Sequence, residues 1–521
     1  MRLVRIGIFA LSLTSLYSTP VFSIVIQQGE NTPEIRTPKP PATPRINGPS
    51  IFGVRPGSPF FYLIPATGDR PMRFNVDGLP AGLKVDENTG LITGTLKKEG
   101  THSVTFRARN RLGSDEKKFR IVVGQEISLT PALGWNSWNV WGPKVTADKV
   151  IRSAKAMVSS GLINHGWSYV NIDDAWQGKR GGMHQGIQGN ENFPDMKGLC
   201  DSIHAMGLRV GIYSTPWTTS YATFIGSTSE NPEGTWTTPT KPRRGNLNKK
   251  ILPWHMGPYS FVKNDALQWA AWGMDYLKYD WNPNELPETA EMEKALRESG
   301  RDIILSLSNN MPYDNIPQIA PVANSWRTTG DIRDTWTSLS RIGFSQDKWA
   351  PYGRPGHWND PDMLVVGYVG WGEPRPCGLT PDEQYLHITL WSLLASPLLI
   401  GCDMERLDEF TLNLLTNDEV LAINQDPLGK QAVSTSSDGS IRVYHRPLED
   451  GSRAVGFFNL GDRDSTLTVR WTHLNTWGPI QVRDVWRQKD LGRFDEEFKV
   501  TLPPHGAEMI RVWRITSDQK K

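Results

Sequence analysis

The sequence predicts a multidomain protein in which a (β/α)8 TIM barrel is flanked by an N-terminal Ig-like β-sandwich and a C-terminal antiparallel β-sandwich. The 521 residues are too many for one compact domain. From Leu129 to about Pro427, strand-like apolar runs alternate with helical patterns over about 300 residues, which favours a barrel. Before and after this region, short strand-like runs between turn residues replace the alternation.

The first residues are typical of a secretory signal peptide. Two arginines precede the apolar run 6–16, and small residues lead to Ser23. We therefore expect residues 1–23 to direct export, to the periplasm or the exterior. An uncleaved anchor is the alternative, although the run is short for a transmembrane span, and no later segment is long and apolar enough for one. Residues 24–45, rich in proline and threonine, are predicted to form a linker.

Residues 46–124 are predicted to form a small β-sandwich. Short strand-like runs such as 103–108 and 119–123 are separated by turn clusters. We assign no chemistry to this domain. A role in spacing or docking is favoured over glycan binding.

Eight short runs are predicted to be the barrel strands within residues 125–427. They are 133–135, 169–172, 208–213, 276–280, 303–307, 325–327, 357–359 and 398–400. Thr146 is a predicted N-cap for a helix over 147–160, and Thr380 with Glu383 forms a capping-box signature. A doubly wound open sheet is the alternative, but no glycine-rich phosphate loop follows the first strand.

Two further regions complete the chain. Residues 227–253 interrupt the alternation after the third strand, and a loop of this length predicts a lid over the cleft or a disordered insert. Residues 428–516 again contain strand-like runs, such as 454–459 and 509–513, which predict the C-terminal β-sandwich. Residues 517–521 are a short tail.

Composition narrows the class of function. A net charge of +2 gives no electrostatic case for a nucleic acid partner. The 21 tryptophans mildly favour a carbohydrate ligand, because an indole ring stacks on the apolar face of a sugar, although most of them are expected in the core. Cys200, Cys377 and Cys402 are too few for a disulfide framework; one bridge is possible, and their spacing does not indicate a metal site.

The stretch 276–280 points to the chemistry. Strand side chains alternate, so Lys278 and Asp280 share one face at the end of the fourth strand. Barrel active sites lie at this end, although a plain ion pair would look the same. The other polar residues near strand ends are mostly carboxylates: Asp173, Asp174, Arg327, Asp331, Asp360 and Asp362.

Several carboxylates among tryptophans are typical of a glycoside hydrolase. Such an enzyme needs one carboxylate nucleophile and one carboxylic acid. We expect Lys278 to keep Asp280 ionised, as a nucleophile must be. The residues alone leave Asp331, Asp334, Asp360 and Asp362 open as the acid. They predict no metal and no cofactor, since histidine and cysteine ligands are missing from the strand ends.

Eight ordered segments carry a resemblance. They are residues 130–138, 171–176, 211–213, 276–280, 326–332, 358–364, 396–401 and 424–429. Together they resemble the α-galactosidase (melibiase) family, glycoside hydrolase family 27, over residues 129–515. Residues 78–94 resemble the Ig-like domain often found beside secreted glycosidases.

The resemblance implies a retaining mechanism with Asp280 as nucleophile and Asp331 as general acid/base. It also implies a set of sugar-binding residues: Trp138 for stacking, Asp173 and Asp174 for O4 and O6, Lys278 for O3 and O4, Arg327 for O2 and O3, and Tyr213 and Asp362 for the remaining contacts. Asp360 is interpreted as a turn residue and Asp334 as a solvated helix residue.

The sequence departs from the family after the fifth strand. Ser308 stands where common α-galactosidases carry a glutamate, which resembles the α-N-acetylgalactosaminidase branch, whereas Met311 is larger than the alanine of that branch. Trp281 and Asn282 replace the family disulfide beside the nucleophile.

These features favour an exported α-galactosidase. The alternatives are α-N-acetylgalactosaminidase, β-L-arabinopyranosidase or isomaltodextranase-like activity. A non-catalytic glycan-binding protein is disfavoured because both catalytic carboxylates are kept. The predicted partner is a carbohydrate substrate; the sequence does not predict the oligomeric state.

Overall fold

Eight parallel strands form a ring in the computed structural model, which describes residues 33–238, 250–251 and 254–515. They are β1 (Leu133–Asn136), β2 (Tyr169–Asn171), β3 (Arg209–Ser214), β4 (Tyr276–Asp280), β5 (Ile304–Ser308), β6 (Ser325–Arg327), β7 (Trp358–Asp360) and β8 (Leu398–Ile400). Each strand pairs with the next from β1 to β7, and β8 pairs with β1. Leu364, just past β7, bridges to Ile400 in parallel and closes the ring. The predicted barrel is confirmed.

Helices follow most of the strands. They are α1 (Trp138–Trp141), α2 (Ala147–Ser159), α3 (Met196–Ala205), α4 (Val262–Trp272), α5 (Leu286–Glu298), α6 (Ile316–Ile319), α7 (Trp336–Gly343), α8 (Pro381–Leu393), α9 (Glu409–Leu415) and α10 (Asp418–Asn424). The Thr146 hydroxyl accepts from the Lys149 amide at the start of α2, and Thr380 and Glu383 form both bonds of a capping box at α8. Both predicted helix starts are therefore confirmed.

The two faces of β4 pack against different layers. Tyr276 lies inside the barrel, with its ring centroid 5.8 Å from that of Tyr169. Leu277 and Tyr279 belong to the large core between strands and helices. This alternation leaves Lys278 and Asp280 on the inner face, at the carboxyl end of the strand.

The N-terminal domain is an Ig-like β-sandwich. Its strands are Arg45–Ile46, Ile51–Val54, Pro59–Leu63, Ala66–Thr67, Arg73–Asp77, Leu83–Val85, Leu91–Thr95, Gly100–Asn110 and Gly113–Val123. A four-stranded and a three-stranded sheet enclose a separate core, in which the rings of Phe106 and Phe119 stack at 4.3 Å.

This domain docks at the start of the barrel strands, opposite the carboxyl ends. Asp302, which precedes β5, accepts hydrogen bonds from the Arg55 amide (2.9 Å) and the Ser58 hydroxyl (3.0 Å). Asn47 donates to the Asn164 carbonyl, before β2, at 2.9 Å. The docking leaves the other end of the barrel open.

The C-terminal domain is an antiparallel β-sandwich. Its six-stranded sheet comprises Val433–Asp438, Ile441–Pro447, Arg453–Asn459, Ala507–Arg514, Ile480–Asp484 and Lys489–Phe494, and a second sheet comprises Ser465–Arg470 and Glu497–Leu502. The two sheets enclose a third core that includes Phe457, Val469 and Ile510.

Among the described residues, four short two-stranded antiparallel sheets, three of them hairpins, extend from the carboxyl end of the barrel. Their strands are Gln177–Gly181 and Gly186–Gly189, Thr228–Ser229 and Tyr259–Ser260, Lys250–Ile251 and Trp254–His255, and Tyr368–Val369 and Arg375–Pro376. Two of them build the described part of the predicted insert 227–253. Cys200, Cys377 and Cys402 are all free thiols.

Several sequence predictions lie outside the described residues. These are the signal peptide, residues 24–32 of the linker, most of the insert between 239 and 253, and the tail. Among the helices that the structure does describe, none is long and apolar enough to cross a membrane.

Candidate active site

Lys278 and Asp173 form a buried ion pair at the ends of β4 and β2. The Lys278 Nζ donates to Asp173 Oδ2 at 2.8 Å, and the Asn136 amide nitrogen donates to the same oxygen at 2.8 Å. The lysine directs this hydrogen bond to Asp173 and not to Asp280. An ammonium has three N–H donors, so two remain for other groups.

Asp280 is buried beside this pair. Only 6% of this residue is exposed to solvent, and its Oδ1 has no hydrogen-bond partner among the described residues. Burial raises the pKa of Asp280 to about 7, although the Lys278 charge opposes the rise, and the negative charges of Asp173 and Asp331 add to it. Lys278 thus lowers the pKa of Asp280, in the expected direction, but desolvation outweighs this one nearby cation.

Asp331 has a different environment, on the loop that follows β6. Its side chain is 50% exposed, and its Oδ1 lies 3.2 Å from Arg327 Nη2. Partial burial would raise its pKa, but the charges of Arg327 and Lys278 outweigh this and hold the pKa of Asp331 below its usual value. The site thus combines a buried carboxylate, Asp280, with a half-exposed one, Asp331.

Asp362 holds Arg327 in place. The Arg327 Nη1 lies 2.8 Å from Asp362 Oδ1, and the backbone amides of Ile332 and Met363 donate to the same carboxylate, both at 2.8 Å. Burial raises the pKa of Asp362 against the charge of Arg327. Protein donors thus occupy most of the acceptor positions of Asp362, which leaves little of this carboxylate for the predicted contact with the sugar.

Asp174 anchors the loop that follows β3. Its Oδ1 accepts from the Ser220 hydroxyl (2.8 Å), the Gln177 amide nitrogen (2.9 Å) and the Ala175 backbone (2.8 Å). Its Oδ2 accepts from the Ala222 backbone at 2.9 Å. A carboxylate has about four acceptor positions, so only one on Oδ2 remains for a substrate hydroxyl.

The other predicted site residues lie around the same opening. Trp138 is half-buried at the start of α1, where its amide donates to Asn136 Oδ1 at 2.8 Å. The ring centroid of Tyr213 lies 5.5 Å from Lys278 Nζ, and its buried hydroxyl has no partner among the described residues. Ser308 ends β5, in register with Asp280.

These strand ends line a small, half-open pocket. Its lining includes Lys278, Ser308, Arg327 and Asp362 of the predicted set. Within the described residues, no cluster of histidine, cysteine and carboxylate side chains is suited to hold a metal ion.

Asp360 and Asp334 differ in how well their surroundings agree with the roles predicted for them. The Asp360 Oδ1 accepts from the Asp362 amide at 2.8 Å, which is consistent with a turn residue, and burial raises its pKa to about 6. Asp334 is buried, and Arg375 donates to both of its oxygens at 2.6 and 3.0 Å. The interpretation of Asp334 as solvated is wrong, because the hairpin after β7 covers it.

Sequence reasoning missed two site residues. Asn136 was identifiable in principle, since it directly follows a predicted strand on the same edge as the carboxylates. Tyr221 lies in the long loop after β3, where no periodic pattern indicates which side chains turn inward. Its position depends on the hydrogen bonds of that loop to Asp174.

The chain matches known protein families along most of its length. Residues 130–235 and 246–426 match the family described as alpha galactosidase A, and residues 438–512 match the alpha galactosidase C-terminal beta sandwich domain. The chain belongs to the α-galactosidase (melibiase) family, glycoside hydrolase family 27. Residues 43–124 match the family described as "Putative Ig domain".

Known proteins resemble the chain over most of its length. Alpha-galactosidase 2 of Arabidopsis thaliana is 35% identical over 409 residues, which cover 77% of this chain and 94% of that protein. A crystal structure from Bacteroides fragilis, described as a "putative alpha-galactosidase", superimposes with a TM-score of 0.81 at 31% identity, covering 93% of this chain and 99% of that one. This chain is therefore an α-galactosidase-type glycosidase.

Another similar structure has a different described activity. It is a family 27 β-L-arabinopyranosidase from Geobacillus stearothermophilus, with a TM-score of 0.64 and 27% identity, covering 75% of this chain and 98% of that one. The family thus includes more than one described glycone.

Proposed function

We propose that this enzyme is exported and removes terminal α-D-galactosyl, or closely related, residues from oligosaccharides or polysaccharides with retention of configuration. One observation carries the proposal. Two carboxylates lie at the same opening in contrasting environments. Asp280 is buried beside Lys278, and Asp331 is half-exposed beside Arg327. Two differently placed carboxylates are what glycoside hydrolysis requires.

The proposed reaction has two displacements. A carboxylate oxygen of Asp280 attacks the anomeric carbon while Asp331 donates its proton to the departing glycosidic oxygen. This forms a covalent glycosyl-enzyme. Asp331 then removes a proton from water, whose oxygen attacks the anomeric carbon and releases Asp280. Retaining pairs are about 5–5.5 Å apart, which leaves no room for water between nucleophile and sugar.

The reaction requires the proton to start on Asp331. In the unliganded protein, however, the burial of Asp280 favours the proton on Asp280. A bound sugar is proposed to reverse this preference. It removes water from the exposed side of Asp331 and so raises that pKa. The two free N–H donors of Lys278 and the substrate hydroxyls stabilise ionised Asp280.

The glycone is recognised by the charged groups around this pair. Asp173 and Lys278 offer an acceptor and donors next to each other, which suits neighbouring hydroxyls on one face of a pyranose. Arg327, held by Asp362, offers further donors in the same pocket. Trp138 supplies an apolar face for stacking.

The identity of the 2-substituent stays open between hydroxyl and N-acetyl. Ser308 lines the cavity and is small, which favours an N-acetyl group, whereas Met311 is a large buried neighbour. Hydrolysis of a panel of nitrophenyl glycosides, comprising α-galactoside, α-N-acetylgalactosaminide, β-L-arabinopyranoside and α-glucoside, separates these glycones. A strict preference for the α-galactoside would remove the N-acetyl alternative.

The decisive experiment follows the stereochemistry. We expect proton NMR of nitrophenyl α-galactoside hydrolysis to show α-galactose as the first product, followed by slow mutarotation. Asp280→Asn is expected to lower kcat by at least about 10³-fold while the circular dichroism spectrum is unchanged. First appearance of β-galactose, or an active Asp280→Asn variant, would contradict the mechanism.

A further inference from the structure

The loop after β3 forms a tight turn above the barrel opening. Thr219 and Ile225 bridge in antiparallel fashion, and between them the Ser220 amide donates to the Phe224 carbonyl at 2.7 Å. The Ser220 hydroxyl donates to Asp174 Oδ1 and accepts from the Phe224 amide at 3.0 Å. Both ends of the turn are thus fixed, one of them to the barrel.

Tyr221 occupies the tip of this turn, between the two residues that Asp174 binds. Its ring packs edge-on against Trp217, with centroids 5.1 Å apart, and lies 6.4 Å from the ring of Trp254. The indole nitrogen of Trp254 in turn donates to the Ser220 carbonyl at 3.2 Å. These contacts leave the tyrosine little rotational freedom.

The hydroxyl of Tyr221 is buried without a hydrogen-bond partner among the described residues. Leaving such a group unsatisfied costs free energy, so buried tyrosine hydroxyls normally find a partner. Besides burial, the charges that raise its pKa are those of Asp280 and Asp331. The hydroxyl therefore lies near the charges of both carboxylates, on a turn whose neighbouring residues Ser220 and Ala222 are bound to Asp174.

We propose that Tyr221 is a further substrate-contacting residue, whose hydroxyl donates a hydrogen bond to a glycone hydroxyl beside Asp280, and that Asp174 and Ser220 position it. The inference rests on the proposed function, because it needs a sugar in this site. It gives Asp174 a second role, since the carboxylate that faces the sugar also holds the turn that carries Tyr221. Substrate then satisfies a donor that the protein leaves unpaired.

Tyr221→Phe tests the contact, because it removes the hydroxyl and keeps the ring on Trp217. We expect kcat/KM for nitrophenyl α-galactoside to fall by about 2- to 12-fold, the loss typical of one neutral hydrogen bond. Binding of D-galactose, measured by titration calorimetry, should weaken by a similar factor. Tyr259→Phe is the matched control, since Tyr259 is an exposed tyrosine on a strand that pairs with Thr228–Ser229, and it should change neither quantity.

Ser220→Ala tests the positioning. It should weaken galactose binding in wild-type background but add little to Tyr221→Phe, because the two residues act through one contact. Unchanged galactose binding and kcat/KM in Tyr221→Phe, or full additivity of the two substitutions, would overturn the proposal. Galactose binding that depends on Tyr221 without turnover by the wild-type enzyme would support this contact and contradict the proposed hydrolysis.

Discussion

Lys278→Met offers the sharpest test of the electrostatics of this site. Between their two pKa values, Asp280 and Asp331 together hold one proton. Burial raises the pKa of Asp280 to about 7, and Arg327 with Lys278 lowers that of Asp331, so the resting proton lies on Asp280. The reaction needs it on Asp331. Lys278 favours the reactive arrangement because its charge stabilises ionised Asp280.

The magnitude follows from the removal of one charge. An opposite charge nearby lowers a carboxyl pKa by about 1–3 units. Without Lys278 the pKa of Asp280 rises by that amount, but the pKa of Asp331, which Lys278 also lowers, rises as well. The population with the proton on Asp331 therefore falls by the difference between the two shifts, at most about 1000-fold. The wild-type kcat/KM should decline above about pH 7, as the shared proton leaves Asp280. In Lys278→Met this decline should move to higher pH while the maximum falls.

The assay is the pH dependence of kcat/KM for nitrophenyl α-galactoside, which reports on the free enzyme. Lys179→Met is the matched control, because this exposed lysine lies on the hairpin after β2 and should leave the profile unchanged. A Lys278→Met profile whose alkaline limb stays in place or moves to lower pH would refute the reasoning.

Three further predictions concern stability, measured as the free energy of unfolding of the full chain. Asp265→Ala removes the carboxylate that lies 2.6 Å from the buried guanidinium of Arg180, and should cost about 3–5 kcal/mol. A cost below about 1 kcal/mol would show that Arg180 relaxes. Gly134→Ala would place a methyl group 2.6 Å from a backbone oxygen of β2, and should cost about 1–3 kcal/mol, with an unchanged value contradicting the tight ring. Thr380→Ala removes the capping box of α8 and should cost about 1 kcal/mol, while Thr380→Ser should restore most of it.

The architecture could be predicted because it depends on local patterns. The run 276–280 is an apolar strand with polar residues on alternate positions, and the helix before it ends at Gly273, whose φ of 96° suits glycine. Such signals are encoded within a few residues. They determine the eight strands, and the strands bring the carboxylates to one end of the barrel.

The charge state of the site could not be predicted in the same way. The sequence places Lys278 two residues from Asp280, and it predicts a pair between them. In the fold, Lys278 donates to Asp173, which is 105 residues away, and Asp280 is buried enough for desolvation to exceed the lysine's influence. Desolvation depends on the atoms that surround a group from every element, and local sequence does not contain them.

The sequence by itself thus determined the order of domains, the barrel strands and the candidate carboxylates, because strand and helix periodicity is short-range information. Only the tertiary structure decided how those groups are used. It placed Arg375 against Asp334, committed most acceptor positions of Asp174 to the loop after β3, and buried the Tyr221 hydroxyl near the charges of Asp280 and Asp331. Each of these depends on a contact between segments far apart in the chain, whose geometry is fixed only when the barrel has formed.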